Sequence, residues 1–118
     1  MRKLLLSLAL IGLALPATAK GLKIEVAGEG ANGIIEIDLL DDVAPGHVAQ
    51  IAELAAEGAY NDVVFHRVID GFMVQGGGFD VDMNQKETRE NIVNEADNGL
   101  KNDLYTIAMA RTMDPDSA

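Results

Sequence analysis

The chain has 118 residues, no cysteine, 4% aromatic residues and a formal net charge of −10. A chain of this size makes one domain at most and buries only about 60–70% of its unfolded surface, so its core rests on Ile, Leu, Val, Met and Ala. The charge balance disfavours nucleic acid and anionic lipid, which require neutralising cations, and the scattered acidic residues read as a solvated, solubilising face.

Met1-Arg2-Lys3 is a basic start, Leu4 to Leu15 is an apolar run of about a dozen residues, and Pro16-Ala17-Thr18-Ala19 offers small residues where a signal peptidase reads. Residues 1–19 are therefore expected to be a secretory signal peptide cleaved after Ala19. An uncleaved anchor is the weaker reading, because a spanning helix needs about 20 apolar residues. Cleavage removes two of the 9 basic residues and none of the 19 acidic ones, which takes the net charge to about −12. Export to the periplasm is expected, with secretion as the alternative and no membrane attachment after signal removal. Residues 20–118 make the mature domain.

Leu22, Ile24 and Val26 alternate with Lys23 and Glu25, and Ile35, Ile37 and Leu39 alternate with Glu36 and Asp38 beyond a GEGANG turn, which predicts a β-hairpin. Gly28, Gly30 and Gly33 match a dinucleotide-binding glycine pattern by accident: that motif needs a helix to follow, and here a strand follows Asn32-Gly33, a turn signal. Pro45 suits the first turn of a helix, Val48, Ile51, Ala52, Leu54 and Ala55 recur at helical spacing, and Gly58 supplies a stop. The helix is expected to pack against the sheet. Val63 to Ile69 and Phe72 to Gln75 are the next expected strands. A polar stretch from Phe79 to Asn98 is either a functional surface loop or an ordered excursion. Thr106 to Ala110 is expected to return as a short apolar strand. Strands outnumber helices, which favours a barrel or sandwich capped by helix.

The chemistry concentrates in FHRVIDGFMVQGGG, Phe65 to Gly78. Arg67 stands on a strand beside the apolar surface of Val68, Phe72 and Met73, a place to hold a small apolar ring and pull on a nearby lone pair. Spacing alone favours a strand arginine paired with a surface carboxylate and core roles for Phe72 and Met73, and it leaves Gln75 an ordinary polar residue at a strand end. His47 and His66 have no ligand cluster or nucleophile near them in sequence and read as structural or surface residues. Asp80, Asp82 and Asn84 begin like a calcium loop, but Gln85 stands where the sharp turn needs glycine and Asn91 where a bidentate glutamate belongs. No metal site and no cofactor are expected.

The same stretch closely resembles the signature of cyclophilin-type peptidyl-prolyl cis-trans isomerases, and KNDLYTIAMARTMDPDSA, Lys101 to Ala118, resembles a later signature of bacterial members. The resemblance covers essentially all of residues 20–118. It implies a mainly β, cyclophilin-like eight-stranded barrel capped by helices, of which this chain would hold roughly the first two-thirds. It implies isomerase activity on Xaa-Pro bonds, with proline-containing segments of unfolded or flexible exported proteins as partners. By the resemblance, Arg67 would take the catalytic role, Phe65, Phe72, Met73 and Ala110 would line the proline pocket, and Gln75 and Arg111 would bind substrate backbone. For Arg111 the side chain stands where asparagine is frequent in the family, and a plain loop arginine is an equal reading.

Two departures from the family pattern stand out. Asp70 replaces a proline usual before Gly71, and Tyr105 stands where a glycine is common before Thr106, a substitution that strains its turn if positive φ is needed there. Relatives continue beyond a stretch like Asp114 to Ala118 into further strands, so the reading is of a C-terminally incomplete domain. The alternative function is a shortened, weak or inactive peptide-binding module of the same fold; an acidic calcium- or saccharide-binding β domain is a more distant third.

Overall fold

The computed structural model describes residues 21–118. The leader expectation, residues 1–19 with cleavage after Ala19, lies outside the described residues. The chain divides between Leu39 and Leu40 into two compact units.

The first unit holds β1 (Gly21–Val26) and β2 (Gly33–Asp38), an antiparallel hairpin. Its register pairs Leu22 with Ile37 and Ile24 with Ile35 on one face, and Lys23 with Glu36 on the other. The alternating pattern predicts this pairing. The GEGANG stretch forms the turn as expected, with Gly33 already part of β2. The Asn32 side chain reaches back to accept the Gly28 N–H at 3.0 Å and closes the loop, while Gly30 takes a φ of +74°.

In the second unit α1 (Pro45–Ala56) begins and ends where its punctuation places it. Pro45 occupies the first turn, where a missing N–H costs nothing. At the other end Gly58 adopts φ +78°, its N–H donates to Ala55 O, and the Ala59 N–H donates to Leu54 O at 3.0 Å. These paired bonds are the glycine-terminated helix stop, which satisfies carbonyls left free at the last turn. The apolar stripe centres on Val48, 5% exposed and the one buried apolar residue among those described.

The helix start lacks a cap of its own, because Ala44 carries no side-chain oxygen. Glu95 supplies it from a distance: its carboxylate accepts the His47 N–H at 2.7 Å and the Gly46 N–H at 3.3 Å. His47 contributes to the same joint through its ring, with Nε2 3.3 Å from Val93 O. Further along the helix, Gln50 donates to Glu90 O, and Arg89 pairs with both Glu53 and Glu57. Those two carboxylates, Glu57 foremost, hold the Arg89 guanidinium above its usual range. Lys86 donates to Ala59 O beyond the helix end, and Asn98 to Val43 O before its start. Residues 86–98 are therefore an ordered strap running the length of α1. The polar ties of this helix go to the strap, where the sequence pointed to a sheet.

β3 (Arg67–Ile69) and β4 (Met73–Gln75) form a second antiparallel hairpin. Both are shorter than the expected strands over 63–69 and 72–75. The pairing continues past them irregularly, through a bridge between Val63 and Asp80 and through the Val64 N–H donating to Phe79 O at 3.0 Å. Between Arg67↔Gln75 and Val63↔Asp80 the second strand gains one residue, which is a β-bulge across Gly76–Gly78.

One expectation is corrected here. Thr106 to Ala110 forms no strand: among the described residues nothing runs beside it to complete a ladder. The described residues contain two separate two-stranded sheets and no closed barrel, since closure requires a ladder that returns to its first strand.

Candidate functional site

The β3–β4 ladder sets Arg67 opposite Gln75 and Ile69 opposite Met73. Directly opposed residues share a face of a sheet, so Arg67, Gln75, Ile69 and Met73 lie on one side and Val68 and Val74 on the other. Arg67 Nη1 donates to Gln75 Oε1 at 3.4 Å, a long contact that orients the guanidinium while leaving its other donors free of recorded partners. Arg67 is exposed, Met73 is half-buried, and Phe72, in the turn between the strands, is 77% exposed.

That turn is built on Gly71. The Phe72 N–H donates to Ile69 O at 3.0 Å and Gly71 adopts φ +71°, the backbone that glycine alone takes without penalty. Asp70 sits at the preceding position, where a proline fits such a turn.

Phe65 joins the group through the bulge. A Cβ on Gly76 would meet the Phe65 ring at 2.7 Å and Val64 O at 3.1 Å, so the Phe65 ring lies directly on the Gly76 backbone. The glycine run thus lets an aromatic ring pack on main chain within a residue of the Arg67–Gln75 pair.

His66 faces away from this chemistry. Its ring packs on Phe79, with centroids 4.6 Å apart and planes tilted by 54°, and its Nδ1 is buried without a hydrogen-bond partner. Neither histidine meets a metal-ligand cluster; among the described residues no group of three or more His, Asp or Glu comes together. Asp80, first residue of the calcium-loop pattern, spends its carboxylate locally. Oδ1 accepts the N–H groups of Asp82 and Asn84, each at 2.9 Å, and the Asn84 amide reaches Oδ2. The Asn84 N–H is the largest cause holding the Asp80 carboxyl below the usual carboxylate range; burial opposes it, and the Asp82 N–H, the Asn84 amide and Lys86 add to it.

Ala110 and Arg111 are exposed, and no recorded hydrogen bond joins either to β3 or β4. The Arg111 guanidinium instead donates to Thr112 O at 3.0 Å. The structure therefore brings together Phe65, Arg67, Met73 and Gln75, with Phe72 at the adjoining turn, while Ala110 and Arg111 stand on the 99–111 arm with no hydrogen bond to that hairpin. The strap residues Glu95 and Asn98, which the motif reading passed over, organise that arm's surroundings. The alanine at the helix N-cap was the local signal for Glu95, since an uncapped start calls for an acceptor from elsewhere.

The family model described as "Cyclophilin type peptidyl-prolyl cis-trans isomerase/CLD" matches residues 22–118. Among curated relatives, "Peptidyl-prolyl cis-trans isomerase B" of Escherichia coli (strain K12) is 55% identical over 87 residues, covering 74% of this chain and 53% of that protein. "Peptidyl-prolyl cis-trans isomerase cyp18" of Streptomyces antibioticus is 55% identical over 86 residues, 73% of this chain and 52% of that protein. "Peptidyl-prolyl cis-trans isomerase A" of Dickeya dadantii (strain 3937) is 50% identical over 103 residues, 87% of this chain and 54% of that protein. The chain thus spans about half the length of the curated relatives it matches. With its hairpin bearing Arg67 and Gln75 inside the matched range, this chain belongs to the cyclophilin-type peptidyl-prolyl cis-trans isomerase family.

Proposed function

We propose that the protein accelerates cis-trans isomerisation of Xaa-Pro bonds in exported proteins as they fold, and that Arg67 is its catalytic residue. The observation that carries this reading is the Arg67–Gln75 pair, a guanidinium aimed by a neutral acceptor on a face shared with Ile69 and Met73. Rotation about the prolyl bond faces a barrier of about 18–20 kcal/mol, because amide resonance gives the C–N bond double-bond character. In the twisted state the nitrogen lone pair leaves conjugation and becomes an acceptor. A guanidinium donating to it binds that state better than either planar isomer, which lowers the barrier without a covalent intermediate. Gln75 serves the step by holding the guanidinium in place and, in the bound complex, by meeting substrate backbone. Phe65, Phe72 and Met73 provide apolar surface for the proline ring, and Ala110 and Arg111 complete the peptide site from their arm.

The fold that carries this activity is an eight-stranded cyclophilin-like barrel, to which the four strands described here contribute. The substrate class is proline-containing segments of unfolded or flexible chains. The basic, apolar and small-residue order of residues 1–19 supports export, with the periplasm as destination.

A second reading, a peptide-holding module with weak or no catalysis, is favoured by one observation: Ala110 and Arg111 have no recorded hydrogen bond to the Arg67 hairpin. A protease-coupled isomerisation assay on an Ala-Pro-Phe peptide separates the two. Acceleration of cis-to-trans conversion in proportion to protein concentration is expected. Peptide binding without acceleration would support the second reading and overturn the first.

A further inference from the structure

The arm that carries Ala110 and Arg111 has little to hold it along its length. From Gly99 to Arg111 the recorded hydrogen bonds are local ones, such as the Leu100 N–H to Asn98 Oδ1 and the Thr106 N–H to Asp103 O. Its apolar side chains are exposed, Leu104 at 82% and Ile107 at 65%. Yet both ends of the arm are anchored to the strap, the near end by Asn98 and the far end by Asn94, with the Ile92 N–H donating to Ala118 O just beyond it.

At the near end, Asn98 donates to Val43 O just ahead of α1. At the far end, residues 112–117 form a turn closed by polar contacts. Ser117 Oγ accepts the Thr112 N–H at 2.8 Å and donates to Asp114 O at 2.7 Å, and Asp114 Oδ1 accepts the Asp116 N–H at 3.0 Å. Asn94 grips this turn twice. Its N–H donates to Asp116 Oδ1 at 2.8 Å and its side-chain amide donates to Pro115 O at 2.9 Å. The amide oxygen of Asn94 meanwhile accepts the Ala96 N–H at 2.8 Å. Glu95, the next residue, is fastened to the first turn of α1. A continuous path of hydrogen bonds therefore runs from the rigid helix through Glu95 and Asn94 to the turn that begins one residue after Arg111.

We propose that Asn94 is a positioning residue for peptide binding: by holding the 112–117 turn against the α1-anchored strap, it sets where Ala110 and Arg111 stand. The proposal rests on the isomerase reading, in which those two residues contact substrate backbone. Asn94 touches no substrate. Its effect falls on affinity, because the Arg67 hairpin that acts on the twisted bond has no recorded hydrogen bond to this turn.

Three variants of the full-length protein test it: Asn94→Ala, Asn94→Asp and Asp116→Asn. Asn94→Asp keeps an acceptor for the Ala96 N–H but loses the donor to Pro115 O and adds a negative charge beside Asp114 and Asp116. A purely local role in the Ala96 turn would leave this variant like the unmodified protein. The clasp role makes it as defective as Asn94→Ala. Both Asn94 variants are expected to raise KM for a proline peptide about three- to ten-fold, the range a lost hydrogen bond commands, with kcat within about two-fold. Asp116→Asn keeps an acceptor oxygen for the Asn94 N–H and should stay near normal. Hydrogen exchange at the Thr112 amide reads the clasp without reference to activity, and protection there should fall in both Asn94 variants. Unchanged KM with unchanged Thr112 protection, or a normal Asn94→Asp, overturns the proposal. Should the unmodified protein show no isomerisation, the function reading fails, and Thr112 protection still decides whether Asn94 holds the turn.

Discussion

Glu95 caps a helix from 48 residues beyond His47: its Oε1 accepts the His47 N–H at 2.7 Å, where Ala44 has no side-chain oxygen to offer. A carboxylate is well suited there, since the first-turn N–H groups carry the positive end of the helix dipole. The same contact ties the strap to the helix and, through Asn94, to the 112–117 turn.

Removing that cap should be felt in one place first. Glu95→Ala is expected to cost the full-length protein about 0.5–2 kcal/mol, the usual range for a lost N-cap, with Glu95→Gln milder because it keeps an acceptor. Denaturant midpoints measure the cost, and amide exchange at Gly46 and His47 locates it. Unchanged protection at both amides would mean the cap is not formed in solution.

Tyr105 should be a stabilising site. It adopts φ +66° and is 98% exposed, so it bears the clash of a Cβ in the left-handed region with no packing in return. Tyr105→Gly is expected to gain about 0.5–1 kcal/mol, read as a raised denaturant midpoint of the full-length protein. A lowered midpoint would show that the ring makes a contact offsetting the backbone strain.

Asp80 gives the pH dependence a sign. Its carboxyl titrates below the ordinary carboxylate range in the folded protein, chiefly through the Asn84 N–H. Its stabilising contribution is therefore complete above the unfolded value of about 3.9 and disappears as pH falls through the lower folded value. Carboxyl NMR titration should place Asp80 below the ordinary aspartate range. An ordinary or raised midpoint would contradict the loop geometry.

The parts of this fold legible in sequence are those that depend on neighbours along the chain. Alternation places Leu22 opposite Ile37, and Pro45 and Gly58 bracket α1. Arg67 and Gln75 lie eight residues apart on one hairpin, so period-two reasoning reaches their shared face. The strap is different. Glu95 and Gly46 are 49 positions apart, and Arg89 and Glu53 are 36 apart, distances over which local propensity says nothing. The β-bulge was half legible: three glycines announce unusual backbone, while the ring that packs on Gly76 appears only in three dimensions. The expected strand at 106–110 failed because apolar composition alone makes no ladder; a strand needs a neighbour.

Phe72 tests the division of labour between holding and twisting. In the proposed site Phe72 would contact cis, trans and twisted proline alike, so Phe72→Ala is expected to lower affinity by about 1–3 kcal/mol while the bound interconversion rate is largely kept. Titration of a proline peptide by NMR measures the affinity. Unchanged binding would place Phe72, exposed in its turn, outside the site.

The most direct measurement is exchange NMR on an Xaa-Pro peptide at saturating concentration, comparing the unmodified full-length protein with Arg67→Ala. The account predicts that interconversion on the protein falls by about 100-fold or more, as for loss of a preorganised donor to developing charge, while peptide affinity stays within a few-fold. Near-normal interconversion in Arg67→Ala would contradict the electrostatic mechanism and leave Arg67 as a strand arginine paired with Gln75.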